Sequence, residues 1–251
     1  MSGGAAIVTG AASGVGARTA ARLRASGTEV VGIDLEWRSD APEVGTRVSG
    51  DVCAVGTWRE ALDAVGGAPS GLVLNAARLT VGTVLDVSDE DLRRVFDVNV
   101  FAVALGLREC LPAMIGAGRG SVVAVASVAG LVADQGLSAY CASKGALLQL
   151  MRCVAVDHAR AGIRANCVCP GAIDTPFFRR HVDASADPER FLREKTERHP
   201  AGRILDPDDV ARVVEFLLGE AAIGINGAAV TVDGALTATF DFQTTAVGAR
   251  R

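Results

Sequence analysis

The chain has 251 residues, 49% of them apolar, and a formal net charge of −4. That length suits one large α/β domain with a sizeable core. Charges of both signs are mixed without a basic excess, which argues against a nucleic-acid-binding protein.

Strand and helix patterns alternate along the whole chain, with no linker or repeat. Ala5–Thr9 reads as a buried strand and runs into Gly10-Ala11-Ala12-Ser13-Gly14-Val15-Gly16, before a helix over Gly14–Ser26. Glycines at a strand-to-helix turn let backbone N–H groups approach a pyrophosphate at the helix N-terminus. A tight turn with close helix packing gives the same pattern, but its place after a first strand favours a dinucleotide site. Glu29–Asp34 is a second strand. A carboxylate at its end, Asp34, can accept hydrogen bonds from an adenosine ribose and repel a 2′-phosphate, which selects NAD over NADP. A capping or solvated aspartate is the alternative, and Arg18 and Arg38 are nearby cations that a 2′-phosphate could use.

A weaker third strand, Arg47–Asp51, precedes a helix at Val55–Val65, and Gly71–Asn75 is the fourth strand. Ser88–Ile115 reads as one long helix with Ser88 at its N-cap and Asp91 three residues on. Asn99 falls inside it, where asparagine is a mediocre helix former, so another task for this side chain is plausible. Ser121–Ser127 is the fifth strand, Ser138–Ala161 a long helix and Arg164–Cys169 the sixth strand. Residues 172–206 read as irregular or short-helical. Pro207–Leu218 is a helix capped by Asp206, and Ala228–Val232 is the seventh strand. Seven buried strands alternating with helices predict a single-domain α/β fold: a doubly wound parallel sheet with helices on both faces.

Tyr140 is the chain's only tyrosine, and Lys144, four residues on, is one of two lysines. On a helix they share a face. Moving a phenol from a pKa of about 10 to about 7 takes roughly 4 kcal/mol. A cation about 4 Å away supplies that only in a partly dry pocket. The spacing fits such an acid–base couple, and it also fits a solvated pair. Ser127 ends a parallel strand, where ligands of open sheets sit, and so is placed to meet the tyrosine.

Six cysteines and three histidines show no metal-ligand spacing, so free thiols in a reduced protein are expected and no metal. Cys167 and Cys169 alternate with Val168 along a strand and are expected on opposite faces. No apolar run approaches the roughly eighteen residues of a membrane span, and Met1-Ser2-Gly3-Gly4 lacks a signal peptide's basic start. A cytoplasmic protein is expected.

These motifs together resemble the short-chain dehydrogenase/reductase family over essentially the whole chain. The match comprises Thr9-Gly10-x-x-x-Gly14-x-Gly16, Asp34, Asp51-Val52, Asn75-Ala76, Asn99, Ser127, Tyr140-x-x-x-Lys144, Pro170-Gly171 and Thr175-Pro176. The resemblance implies a Rossmann fold and an NAD-dependent oxidoreductase acting on a secondary alcohol or ketone. By it, Tyr140 is the acid/base, Ser127 hydrogen-bonds the reacting oxygen, Lys144 lowers the tyrosine pKa and holds the nicotinamide ribose, and Asn99 anchors a relay water. Gly10, Ser13, Gly14, Val15, Gly16, Asp34, Asn75, Ala76, Pro170, Gly171 and Ile173 would hold NAD. Asp51 and Val52 would line the adenine site, and Thr175 would bind the carboxamide. Two departures stand out: Ala77 where the family usually has glycine after Asn-Ala, and Asp233-Gly234-Ala235 where it has Asp-Gly-Gly.

A shorter stretch, Cys167–Gly171 with Asp174-Thr175-Pro176, is similar to 3-hydroxybutyrate dehydrogenase type 2 and to 2-keto-3-deoxy sugar-acid dehydrogenases. Residues 172–206 would cover the substrate, with Gln135, Phe177 and Phe178 at the pocket beside Ser127 and Tyr140. Arg179 and Arg180 either meet a substrate carboxylate or form a solvated face. An NADPH-linked ketoacyl reductase and a nucleotide-sensing regulator that lost its chemistry are the alternatives. The resemblance also implies a homo-oligomer, a tetramer, for which Val95, Val98, Ala102, Leu105, Leu147, Leu150, Met151 and Val154 offer apolar positions and the 237–251 tail an extra arm.

Overall fold

In the computed structural model, which describes residues 4–37, 39 and 41–239, one seven-stranded parallel sheet forms the centre. Its strands are β1 (Ala5–Thr9), β2 (Glu29–Asp34), β3 (Thr46–Ser49), β4 (Gly71–Leu74), β5 (Gly120–Val125), β6 (Ile163–Pro170) and β7 (Ala229–Val232). Their order is β3-β2-β1-β4-β5-β6-β7. The helices are α1 (Gly14–Ala25), α2 (Val55–Val65), α3 (Asp89–Phe96), α4 (Ala102–Gly116), α5 (Ser138–His158), α6 (Pro176–Asp183), α7 (Pro188–Arg198) and α8 (Pro207–Leu218). The third strand starts and ends earlier than its sequence pattern suggests. Arg38 and residues 240–251, including most of the expected tail, lie outside the described residues.

Strands such as Gly71-Leu72-Val73-Leu74 are apolar at every position because both sheet faces are covered. One face packs against α2, α4 and α5, through residues such as Trp58, Leu107, Met114, Leu147 and Met151. The other packs against α1 and α8, through Val15, Leu23, Val210, Val214 and Leu217. The chain winds outward from β1 to β3, then crosses to β4 on the other side of β1. That reversal opens a crevice beyond the strand ends between β1 and β4, where ligands of doubly wound sheets bind.

Three expectations need correction. Cys167 and Cys169 share one core face, and Val168 lies in the other core, because residues two apart on a strand point the same way. Val95, Ala102, Leu147, Met151 and Val154 are buried within the subunit, and Val98, Leu105 and Leu150 pack against its core. The five buried ones are not spare apolar surface for assembly, whereas Val98, Leu105 and Leu150 stay partly exposed. Finally, the helical stretch Asp89–Gly116 does have the length and mean hydropathy of a membrane span. Its apolar content follows instead from packing Ala102, Val103, Leu107, Cys110, Leu111 and Met114 against the sheet.

That stretch is not a regular helix either. A single π turn, Asp97–Phe101, joins α3 to α4 and contains Asn99. Such bulges are often found at functional sites, and this one turns the Asn99 side chain into the protein, where it is 1% exposed.

Candidate active site

The turn after β1 is built around absent side chains. Gly10 and Gly14 have φ of +64° and +53°, a region that favours glycine. A Cβ on Gly16 would lie 2.1 Å from the Gly10 carbonyl oxygen, so the start of α1 presses directly onto the turn. Thr9 and Asn75 hold the arrangement across the crevice. Asn75 Nδ2 donates to the Thr9 and Gly10 carbonyls at 2.9 and 3.1 Å. The Asn75 and Ala76 N–H groups donate to Thr9 Oγ1 at 2.9 and 3.0 Å. The result is a rigid, side-chain-free cradle at a helix N-terminus, with Ser13 and Val15 on its rim and first turn. It fits a dinucleotide pyrophosphate.

Asp34 stands beside this cradle. Its carboxylate accepts from the Ala12 N–H at 2.9 Å and from the Leu35 N–H at 2.8 Å. Arg18, the described cation suspected from sequence, lies 3.6 Å from Asp208 instead. Asp51 accepts from the Cys53 N–H at 2.8 Å, and Val52 is buried with its carbonyl bonded to the Trp58 indole at 2.8 Å.

The second cluster lies at the ends of β5 and β6. The Tyr140 phenol lies beside Ser127, which works to lower the phenol's pKa, and the Ser127 Oγ accepts the Ala129 N–H at 3.1 Å. The Lys144 Nζ donates to the Val125 carbonyl at 2.9 Å and lies 5.6 Å from the centroid of the Tyr140 ring. Asn99 Nδ2 donates to Ser143 Oγ at 2.9 Å, and Ser143 Oγ donates to the Tyr140 carbonyl at 2.8 Å. Asn99 also exchanges two hydrogen bonds with the Arg78 backbone, at 2.8 and 2.9 Å. The structure thus brings Asn99, Ser127, Tyr140 and Lys144 together. Ser143, the Val125 carbonyl and the Arg78 backbone were missed, because a small side chain and two peptide groups leave no distinctive pattern in a sequence.

Electrostatics bear on the Tyr140–Lys144 couple. Burial pushes the Tyr140 phenol up to about 12, and the Ser127 side chain offsets only part of it. Burial also pushes Lys144 down to about 8, against the nearby Cys167 and Cys169 thiols. In the protein without its cofactor, burial dominates the phenol, and the Lys144 ammonium turns one of its three N–H groups to the Val125 carbonyl.

The chain between β6 and α8 lies over this cluster. Pro170 ends β6 and Gly171 follows it, Ile173 bridges to Leu205, and Thr175 caps α6 by accepting the Phe178 N–H at 3.2 Å. A Cβ on Gly14 would sit 3.0 Å from the Thr175 methyl, which places this loop against the glycine turn. The Phe177 ring centroid is 6.4 Å from that of Tyr140, while Phe178 instead meets Phe191 at 6.5 Å. Gln135 is exposed on the loop before α5. Lys195 on α7 pairs with Asp134 of that loop at 2.8 Å. Arg179 is engaged by Asp174 in a two-pronged pair at 2.6 and 2.7 Å. Among the described residues no cluster of potential ligands could hold a metal ion.

Comparison with known proteins finds relatives along nearly the whole chain. The model of the enoyl-(acyl carrier protein) reductase family matches residues 10–237. The chain is 42% identical to 2-(R)-hydroxypropyl-CoM dehydrogenase of Xanthobacter autotrophicus, over 93% of this chain and 98% of that one. It is 34% identical to cyclohexanol dehydrogenase of an Acinetobacter species, over 92% and 94% of the two chains. The solved structure of aldohexose dehydrogenase from Thermoplasma acidophilum superimposes with a TM-score of 0.89 at 30% identity, over 96% of this chain and 97% of that one.

Proposed function

The chain belongs to the short-chain dehydrogenase/reductase family, and we propose that within it this enzyme interconverts a small secondary alcohol and its ketone with NAD, using Tyr140 as the acid/base. It is an oxidoreductase of alcohol- and ketone-type substrates that uses a nicotinamide dinucleotide. The observation that carries the finer reading is the convergence of Ser127, Tyr140 and Lys144 beside a glycine cradle.

When bound, the dinucleotide supplies the hydride carrier and, in its oxidised form, a positively charged ring. The chain's own residues do the rest. Gly10, Gly14 and Gly16 would leave room for the pyrophosphate, and Asp34, pinned by two backbone N–H groups and with no described cation paired to it, would hold the adenosine ribose. Tyr140, kept neutral by burial, gives its proton to a ketone oxygen and takes it back from an alcohol. Ser127 orients that oxygen. Lys144 keeps positive charge against the Tyr140 ring, and Asn99 fixes the first turn of α5 through Ser143.

The regulator reading would leave four chemically capable side chains assembled without a task. The ketoacyl reductase reading conflicts with a carboxylate at Asp34. Phe177 beside Tyr140 suits a small apolar substrate body. The test is NAD reduction against a panel of hydroxyalkyl thioethers, hydroxy acids, polyols and cyclic alcohols. Turnover of at least one secondary alcohol is expected; reaction with primary alcohols only contradicts the proposal. A homo-oligomer also remains a proposal, supported by Phe101 and Leu92, which are 61% and 41% exposed on the α3–α4 stretch. Sedimentation as a 25.7 kDa monomer at micromolar concentration contradicts it.

A further inference from the structure

His199 is buried at the end of α7, 2% exposed, outside the cluster that carries the chemistry. Its Nε2 lies 3.2 Å from the Ala172 backbone nitrogen, and its Nδ1 lies 2.7 Å from the Lys195 carbonyl oxygen. A peptide N–H can only donate, so Nε2 accepts and Nδ1 carries the ring proton. The two contacts define a neutral imidazole with both nitrogens satisfied.

The segment held this way is the one between the two halves of the site. It leaves β6 at Pro170, beside the β5 end that carries Ser127, and reaches Thr175 against Gly14 of the glycine turn. Its backbone is otherwise tied at its start and middle: the Gly171 N–H donates to the Val232 carbonyl at 3.0 Å, the Ala172 carbonyl accepts from Leu205 at 3.0 Å and the Asp174 N–H donates to Leu205 at 2.9 Å. Gly171 makes the imidazole's approach possible, because a Cβ there would lie 2.7 Å from Nε2. Lys195, whose carbonyl takes the other ring nitrogen, sends its side chain to Asp134 on the loop that leads to Tyr140. A ligand reaching from the glycine cradle to Tyr140 must pass the 171–175 loop.

We propose that His199 is a positioning residue that sets the 171–175 loop against the nicotinamide half of the cofactor and ties that loop to α7. The proposal rests on the dinucleotide reading given above. Its signature is selective: loss of the Nε2 acceptor weakens ligands that carry the nicotinamide and spares those that lack it. Glutamine can place an oxygen near the Nε2 position, asparagine offers only the Nδ1 position, and leucine offers neither.

The test compares NADH and ADP-ribose affinity by calorimetry in wild type, His199→Leu, His199→Asn and His199→Gln, with thermal melts of each. Losing a buried hydrogen bond of about 1.4 kcal/mol is a tenfold effect. NADH binding about tenfold weaker in the Leu and Asn variants is expected, with most of it recovered in Gln, and ADP-ribose binding within about twofold throughout. Equal weakening of both ligands overturns the proposal, as do unchanged NADH affinity and a Gln variant no better than Asn. A wild type that binds NADH no more tightly than ADP-ribose overturns the nicotinamide-site reading and this proposal together. If the Leu variant does not fold, the Asn–Gln comparison decides alone.

Discussion

The Lys144 ammonium lies 5.6 Å from the centroid of the Tyr140 ring and gives its hydrogen bond to the Val125 carbonyl at 2.9 Å. Among the described residues it is a buried cation without a carboxylate partner, an arrangement that costs stability. Burial holds its folded value at about 8, below about 10.4 for a free lysine. Between those values the unfolded chain holds more protons, so this group makes stability rise with pH. Below about pH 8 the buried charge costs roughly 3 kcal/mol. Lys144→Met removes that cost but also loses the Val125 bond, so near-neutral stability at pH 7 is expected together with loss of turnover. Urea melts at pH 7 and pH 10 should show wild type gaining up to about 3 kcal/mol relative to the variant at the higher pH. A stability difference independent of pH contradicts the buried-cation account.

Asp34 presents both oxygens to backbone N–H groups, and Arg18 is drawn off to Asp208. NAD should be preferred over NADP. Asp34→Ala should narrow that preference mainly by weakening NAD about 10- to 100-fold, the worth of hydrogen bonds to a charged group. Initial rates with both cofactors check this, and a wild-type preference for NADP would contradict it.

Arg179 is a weaker candidate for a substrate carboxylate than its place after Phe177-Phe178 suggested. Both prongs of its guanidinium are taken by Asp174, on an exposed surface where such pairs are worth at most about 1 kcal/mol. Arg179→Ala should change KM for a hydroxy acid and for a matched neutral alcohol by less than about threefold. A selective rise for the acid would show that substrate displaces Asp174.

Ala235 adopts φ of 70°, the one described residue other than glycine in the left-handed region. It stands where the family usually has glycine. Ala235→Gly should relieve about 1 kcal/mol of strain and raise Tm by roughly 2–4 °C. Activity should be unchanged. A lower Tm would mean that the added backbone entropy outweighs the strain.

The alternation of buried strands with helices was legible because parallel strands covered on both faces are apolar at every position, as in Ile7-Val8 and Leu72-Val73. The glycine turn and the Tyr140–Lys144 spacing were legible because each is local. The π turn at Asn99 was not, since one extra residue in a helix leaves no composition signal; only the oddity of an asparagine marked it. His199 and the Asp134–Lys195 pair were missed because their partners are a backbone amide and a distant loop. The burial that raises the Tyr140 phenol was not legible either, because spacing reports a nearby cation and says nothing of desolvation.

The central claim is that the Tyr140 hydroxyl is the proton-transfer group. Tyr140→Phe keeps the ring that meets Phe177 and removes only the hydroxyl beside Ser127. The direct measurement is single-turnover hydride transfer in this variant, monitored by NADH absorbance, alongside NADH affinity. A loss of at least about 100-fold in the hydride step is expected, with NADH affinity within about threefold of wild type. Hydride transfer retained above a tenth of the wild-type rate, with the cofactor still bound, would contradict the account.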